Sequence, residues 1–271
     1  MKIDAKKMYD CEPTLTDTQV LEFCKNGFLV FEAVVPEEIN QRTFAFLDEH
    51  PSGEPTQIFF EDWFVDNVIL QPKVVGAVRS LLGRDFGLPI LISNHRVQCP
   101  APPQGWHHDG DSPFGHEVNF LQVFYYPQDV PVELGPTEIL PGSHFTETHQ
   151  EAEWRGGYTT TAQAGSIFIT AYSILHRRSE STAEGMRNLL KYNYWRMVPP
   201  QRDWIIEPAF DFHAADYGGH GHAKHVAQML FWLSGKAHEF RTIGGQGWPY
   251  SGSRANQVDK SYGFPSESLR R

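Results

Sequence analysis

The sequence predicts an all-β core with flanking helices. The 271 residues include 19 Pro and 23 Gly, which is typical of a fold with many turns and elaborate loops. Short apolar runs of strand character dominate from about residue 88, whereas residues 16–83 show helical spacing. We therefore expect a single domain over 1–271, with a helical preface (about 16–83), a β core (about 88–200) and a loop-and-helix extension (about 201–271).

The preface is predicted to contain three helices. Thr16-Asp17-Thr18-Gln19 fits a capping box, and Gly27 is a natural residue to end the helix that follows it. Residues 28–31 are predicted to form a buried strand. A second helix is expected from about Pro36, and a third over about 72–83.

Residues 59–66 mix four aromatic side chains with acidic ones. One interpretation is an aromatic cluster beneath a loop, and the other is a lid or wall that contacts substrate. The second interpretation would suit a cationic or amphipathic substrate.

The strand predicted at 91–98 has one polar face. Asn94, Arg96 and Gln98 share that face, and His95 and Val97 share the other. A polar face suits a strand that lines a ligand-filled barrel, or one whose side chains simply face solvent. Further strands are predicted at 120–126, 165–170 and 189–197.

The charge and cysteine content limit the partners and the compartment. A formal net charge of −10 disfavours nucleic acid and anionic membranes as partners. Cys11, Cys24 and Cys99 are odd in number and show no useful pair spacing, so a reducing cytoplasmic compartment is expected. The chain shows no signal-peptide core and no apolar run long enough to span a membrane.

The chain is organised around Trp106-His107-His108-Asp109-Gly110. His107 and Asp109 are two residues apart and project the same way from an extended strand. With a second histidine, best supplied by His176, they would form a 2-His-1-carboxylate facial triad, which suits non-haem Fe(II). Two alternatives remain at this point: His107 and Asp109 could cap a loop, and His108 could replace His107 as the metal ligand.

Arg187 lies eleven residues after His176 and opens the strand-like run 186–195. A guanidinium on a strand is a good bidentate partner for a carboxylate. Arg187 could therefore hold a carboxylate ligand, or it could form a salt bridge within a barrel wall.

These motifs together resemble the phytanoyl-CoA dioxygenase family of Fe(II)/2-oxoglutarate-dependent oxygenases. The resemblance covers roughly residues 16–200, and it departs from the family at His108, where Gln is common. The matching pieces are Trp106 to Gly110, the segment Gly135-Pro136-Thr137-Glu138-Ile139-Leu140-Pro141-Gly142-Ser143-His144, the pair His176 and Arg187, and the earlier run Asn26-Gly27-Phe28-Leu29-Val30.

The resemblance implies a double-stranded β-helix (jelly roll, cupin-like) with helices on one flank. It implies oxidation of a small molecule by Fe(II), O2 and 2-oxoglutarate, with decarboxylation of 2-oxoglutarate to succinate and hydroxylation of an unactivated C–H bond. The implied roles are iron ligation by His107, Asp109 and His176, binding of the distal carboxylate of 2-oxoglutarate by Arg187, and further co-substrate contacts from Gln98 and Thr137.

Some related functions are disfavoured and others stay open. The acidic chain offers no evident basic cluster for a CoA thioester. Asp109 fills the position that related halogenases leave to chloride. The open alternatives are a cupin-like metal enzyme that does not use 2-oxoglutarate and a catalytically silent binding protein.

A glycine-rich segment contains His213, His220, His222 and His225. The segment could hold a second metal ion, or it could be a loop that covers the barrel mouth. Its role cannot be assigned from the sequence. His144, in the Pro-Gly-Ser-His turn, is interpreted as structural.

Overall fold

Two groups of antiparallel strands face each other, and helices cover the outer face of the larger sheet. The computed structural model describes residues 8–110, 115–146, 157–160, 163–212, 214–218, 222–239, 241–243 and 246–248. The predicted all-β core with flanking helices is confirmed. The helices are α1 (Asp17–Asn26), α2 (Glu37–Glu49), α3 (Asp62–Phe64), α4 (Pro72–Leu82) and α5 (Ala223–Leu233). The strands are β1 (Met8–Tyr9), β2 (Phe28–Phe31), β3 (Phe86–Gly87), β4 (Ser93–Asn94), β5 (Val97–Ala101), β6 (Phe120–Tyr125), β7 (Thr137–Ile139), β8 (Tyr158–Thr159), β9 (Ile167–Ala171), β10 (His176–Arg178), β11 (Ser181–Arg187), β12 (Leu190–Trp195), β13 (Arg241–Ile243) and β14 (Gln246–Trp248).

Helix α1 begins and ends as its sequence predicts. Thr16 and Gln19 form a reciprocal capping box, which satisfies two backbone donors at the helix start. Gly27 ends the helix with a left-handed φ of 80°, and its N–H donates to the Phe23 carbonyl at 2.7 Å. This reversal sends the chain directly into β2.

The larger sheet has seven strands in the order β1-β3-β12-β6-β9-β2, and β4 also pairs with β12. Alternation along β6 points Tyr125 toward the helices and Phe124 toward the smaller sheets. Tyr125 accordingly donates to Asn40 on α2 at 2.8 Å, and the Phe124 ring lies 5.4 Å from the His176 ring. The sheet therefore carries one face for the helical layer and one for the site.

The opposite wall consists of the sheet β10-β7-β8 and the pair β11-β5. A small apolar cluster of Phe124, Tyr126, Phe168 and Leu189 lies between the two walls. Around it the interior is polar, because Thr137, His176 and Arg187 are all buried there. This interior is the region that the fold provides for a ligand.

Residues 186–195 form two strands rather than the single run expected from the sequence. Arg187 is the last residue of β11, and β12 begins at Leu190 in the other sheet. Between them Asn188 is fully buried; its N–H donates to Gln128 Oε1, and its Oδ1 accepts from Asn94, both at 2.9 Å. These hydrogen bonds satisfy polar groups of Asn188 at the point where the chain passes from one sheet to the other and strand pairing is interrupted.

The segment 91–98 is also divided, into β4 and the start of β5, and its polar face does not line a ligand cavity. Asn94 bonds to Asn188, and Arg96 bonds to the Leu47 carbonyl at 3.2 Å. The opposite face, with His95 and Val97, lines the cavity instead.

The C-terminal extension packs on the helical preface. Asp17, at the start of α1, is fully buried and accepts hydrogen bonds from Arg202, Trp204 and the backbone of Glu207. One hydrophobic cluster contains side chains of the preface, the larger sheet and α5. In the described part of the chain no helix combines the length and apolar character needed to cross a membrane.

The aromatic and acidic segment 59–66 belongs to the helical layer. Phe59 and Phe64 are buried, and the Phe64 ring lies 6.3 Å from Tyr125 on the outer face of the larger sheet. Trp63 lies beneath the Arg42 guanidinium at 4.4 Å. The geometry supports the packed cluster rather than the substrate wall.

Candidate metal centre

His107 and His176 meet because their backbones pair. An antiparallel bridge joins the two residues, with both N–H to carbonyl distances at 3.1 Å. Their rings lie on the same side of this bridge, with centroids 4.6 Å apart. Asp109 projects to the same point: one carboxylate oxygen lies 3.8 Å from His107 Nε2 and the other 3.5 Å from His176 Nε2. One atom from each of the three side chains lies within 4.8 Å of the others.

Both imidazoles are oriented by backbone carbonyls. His107 Nδ1 lies 3.0 Å from the Gly105 carbonyl, and His176 Nδ1 lies 3.2 Å from the Ile174 carbonyl. A carbonyl can only accept, so each Nδ1 carries the proton and each Nε2 keeps its lone pair. Metal-binding histidines commonly have this outer contact, and here it aims both lone pairs at Asp109.

Burial keeps His176 neutral. Only about 5% of its side chain is exposed, and desolvation together with the charge of Lys191 lowers its pKa to about 3. The donor set is therefore two neutral nitrogens and one carboxylate. That set fits a divalent metal of the iron group, with positions left for other ligands.

Asp109 is held by two donors from the larger sheet. Lys191 Nζ and Gln122 Nε2 both donate to Asp109 Oδ2, the second at 2.5 Å. Burial alone would raise the pKa of this carboxyl, but the positive charge of Lys191 and these two hydrogen bonds hold it well below its usual range. Asp109 is therefore ionised at neutral pH.

His108 points away from this cluster. Its Nδ1 lies 2.6 Å from the Ser173 carbonyl. The alternation of an extended chain separates it from His107 and Asp109, which favours the i, i+2 interpretation over the alternative with His108.

A cavity that is partly open to solvent lies beside the three groups. Arg187 on its wall is only 1% exposed, and its Nη2 donates to Thr137 Oγ1 at 3.0 Å and to the Tyr126 hydroxyl at 3.3 Å. Arg178, on β10, also lines the cavity and donates to the Pro102 carbonyl at 2.7 Å. The cavity is thus rich in positive charge.

Several guanidinium donors in this cavity lack a protein acceptor. Among the described residues, Nε of Arg187 and both Nε and Nη1 of Arg178 are buried without a hydrogen-bond partner. Burial and the nearby charge of Arg187 lower the pKa of Arg178. Buried charged donors need acceptors, so the cavity is suited to a ligand with carboxylate oxygens.

The resemblance suggested two residues as further co-substrate contacts, and the structure places one of them in the cavity and the other outside it. Thr137 lines the cavity beside Arg187. Gln98 is exposed and donates to the carbonyls of Cys99 and Gly185, both at 3.2 Å. Because strand alternation turns Gln98 outward when Val97 faces inward, we leave Gln98 out of the proposed site.

Sequence reasoning missed several cavity residues, among them Arg178, Lys191 and His95. Neither Arg178 nor Lys191 belongs to a motif, and Lys191 lies in a strand of mostly apolar and aromatic residues. Its alternation with the buried Leu190 and Tyr192 was the available signal, because an inward lysine in a central strand requires an anionic partner. His95 lies beside Lys191 and Arg187, and burial together with the charge of Lys191 lowers its pKa to about 4.

The histidine-rich segment provides no second metal centre among the described residues. His222 and His225 pack near Phe145, with centroid distances of 6.4 and 5.5 Å. The only group of metal-binding side chains found in the described ranges is His107, Asp109 and His176. His213 and His220, like Asp111 and the tail after residue 248, lie outside the described residues.

No family model and no curated protein matches the sequence, but solved structures match the fold. HygX from Streptomyces hygroscopicus with nickel and 2-oxoglutarate bound is 16% identical with a TM-score of 0.54, covering 71% of this chain and 90% of that chain. The epimerase SnoN in complex with Fe3+, alpha ketoglutarate and nogalamycin RO is 17% identical with a TM-score of 0.54, covering 65% and 82%. The alpha ketoglutarate dependent carbocyclase SnoK from nogalamycin biosynthesis is 17% identical with a TM-score of 0.55, covering 69% and 87%. The shared fold confirms the predicted jelly-roll core.

Proposed function

We propose that this protein is a non-haem Fe(II) enzyme that uses 2-oxoglutarate and O2 to oxidise a small molecule. One observation carries the proposal: His107, Asp109 and His176 converge beside a cavity lined by Arg187 and Arg178, whose guanidinium groups include buried donors without a protein acceptor. The first group suits Fe(II), and the second suits the carboxylate of a keto acid. The narrower resemblance to the phytanoyl-CoA dioxygenase family agrees with this assignment.

The three proposed iron ligands differ in charge and in exposure. His107 and His176 offer neutral nitrogen lone pairs, and Asp109 offers the single negative charge of the ligand set. When bound, the iron and the co-substrate supply the oxidising chemistry, in which 2-oxoglutarate is decarboxylated to succinate and O2 is consumed. His107 is the most open of the three ligands, with 37% of its side chain exposed.

Arg187 and its neighbours hold the distal end of the co-substrate. Thr137 and Tyr126 fix the Arg187 guanidinium by accepting from Nη2, which leaves Nε for the ligand. Arg178 adds a second guanidinium in the same cavity. The rings and alkyl groups of Phe124 and Leu189 line this cavity and exclude water, which strengthens the ion pairs.

A second cavity, also partly open to solvent, is the site that we assign to substrate. Phe120, Tyr172 and Met229 line it, with Glu117 as its acidic group. Tyr172 lies on the side of this cavity toward the metal motif, because a Cβ built on Gly110, the residue after Asp109, would lie 3.3 Å from its hydroxyl. A neutral or cationic small molecule with an apolar skeleton fits this lining.

Hydroxylation of an unactivated C–H bond is the reaction that we propose. SnoN is an epimerase and SnoK a carbocyclase, so proteins of this fold have other outcomes. Mass analysis of the product distinguishes them: hydroxylation adds one oxygen, whereas epimerisation leaves the mass unchanged and ring closure removes two hydrogens.

The class of the enzyme is tested by anaerobic titration of the metal-free protein with Fe(II) and then with 2-oxoglutarate. We expect a weak visible charge-transfer band that requires both additions. Bound iron without such a band would favour a cupin-like enzyme that does not use 2-oxoglutarate. Absence of iron binding would overturn the assignment of the three ligands and favour a silent binding protein.

A further inference from the structure

We propose that Lys191 is a resident cation of the metal centre, which a divalent metal must displace from His176 in order to bind. This inference rests on the metal site proposed above. It concerns a residue of β12 that the motifs of the sequence do not include.

Lys191 lies at the point where the three candidate ligands converge. Its ammonium donates to Asp109 Oδ2 and lies 3.4 Å from His176 Nε2. Because His176 Nδ1 is turned to the Ile174 carbonyl, Nε2 is the nitrogen that can accept from the ammonium. Lys191 thus uses two of the three side chains that a metal would use.

The position of Lys191 is built into the larger sheet. β12 pairs with β6 so that Lys191 lies opposite Phe124, and the ammonium is 5.3 Å from the centre of that ring. Only 6% of the lysine side chain is exposed. This buried cation balances the carboxylate of Asp109, which would otherwise be a poorly compensated charge.

Metal and ammonium cannot share His176. A nitrogen ligand lies about 2 Å from a divalent ion of this group, and the same lone pair cannot also accept a proton donor. Two positive centres a few ångströms apart also repel strongly where solvent is excluded. Gln122 still holds Asp109 Oδ2 after such a displacement, so the carboxylate stays in place while Lys191 turns away.

The test is equilibrium binding of Mn(II) alone, without co-substrate, to the full chain and to Lys191→Met and Lys191→Gln. Both substitutions remove the charge and keep a side chain of similar length. We expect both variants to bind Mn(II) about tenfold more tightly, because the metal no longer competes with a cation. Arg178→Met is the matched control: it removes one positive charge from the same cavity without touching Asp109 or His176, and a smaller gain is expected.

Tighter binding cannot result from structural damage, which would weaken the site. A second measurement is the rise in unfolding temperature at saturating Mn(II), which should be larger in both neutral variants than in the wild type. Equal or weaker Mn(II) binding in both variants would overturn the role of Lys191. If the wild type and all variants fail to bind Mn(II), the proposed metal site itself is wrong.

Discussion

At the scale of single residues, the three candidate ligands are oriented by their neighbours, although Lys191 must turn away before a metal binds. Carbonyls of Gly105 and Ile174 fix which nitrogen of each imidazole faces inward. Side chains from the opposite sheet fix Asp109. Few rotamers remain to be selected when a metal arrives, which lowers the entropic cost of binding.

His176→Ala is expected to abolish iron binding and turnover, because two remaining ligands hold Fe(II) poorly and Lys191 still occupies Asp109. Iron content after anaerobic reconstitution and succinate formation are the measurements. His108→Ala is the matched control, since this neighbouring histidine turns to the Ser173 carbonyl. Iron loss in the His108 variant but not in the His176 variant would reverse the ligand assignment.

Arg187→Ala should raise the concentration of 2-oxoglutarate needed for half-maximal activity by about a hundredfold, as expected for truncating one partner of a buried charge pair. The maximal rate should fall much less. Arg177→Ala is the comparison, because Arg177 lies over Trp106 and is paired with Glu138 at 2.5 Å. An unchanged requirement in the Arg187 variant would assign Arg187 to the barrel wall.

At the scale of elements, the turn after α1 is packed against the Pro-Gly-Ser-His turn. His144 is fully buried there, with Nε2 3.2 Å from the Cys24 carbonyl, which supports its structural interpretation. A Cβ at Gly27 would lie 2.3 Å from His144 Nδ1. The glycine is therefore required for close approach as well as for its positive φ.

Gly27→Ala is expected to lower the free energy of unfolding by about 2 kcal/mol or more, from left-handed backbone strain and overpacking. Denaturant unfolding measures this loss. Gly53→Ala is the control, since a Cβ there meets no atom within 4 Å and should change stability by less than about 0.5 kcal/mol. Equal losses of unfolding free energy in the two variants would show that His144 can move away from a Cβ at position 27 at little cost.

The elements show what periodicity could predict and what it could not. The capping box, the terminal glycine and the apolar spacing of α4 are local signals, and each gave the correct helix. The crossing at Asn188 was missed because no Gly or Pro marks it and because hydrogen-bond partners distant in sequence define it. For the same reason, the sequence could not show that Gln98 lies on the outward side of its strand.

At the scale of the whole molecule, Asp17 joins the start of the helical preface to the C-terminal extension. The carboxylate is fully buried and bonded to Arg202, Trp204 and the Glu207 backbone. Burial would raise its pKa, but these bonds lower it below its usual value. The ion pair therefore stabilises the folded chain only while the carboxyl is ionised.

Asp17→Asn should lower the free energy of unfolding by about 3 kcal/mol near neutral pH, because it leaves Arg202 without its charge partner. Since the folded pKa is depressed, the wild-type advantage is complete above the unfolded pKa of about 4 and declines as pH falls further. Unfolding of both proteins across this pH range measures the difference. A difference that stays constant down to pH 2 would show that packing, not charge, holds the extension.

The candidate site was predictable from the sequence where its residues carry a spaced motif. His107, Asp109, His176 and Arg187 were all named as candidates from the sequence, and the structure brings them to one interior. Arg178 and Lys191 could not be placed, because the side of a strand that faces the interior depends on which strands pair. The role of a side chain that belongs to no motif can be inferred only once the pairing of its strand is known.

The bridge between His107 and His176 has a further consequence. Two backbone hydrogen bonds join the segments that carry these two candidate ligands. A metal bound by both side chains would therefore add a second link across this seam, the line where the two segments meet. Opening the seam and releasing the metal would then be a single event. Amide hydrogens at these two positions should report metal occupancy through the rate at which they exchange with solvent, even in the absence of any substrate.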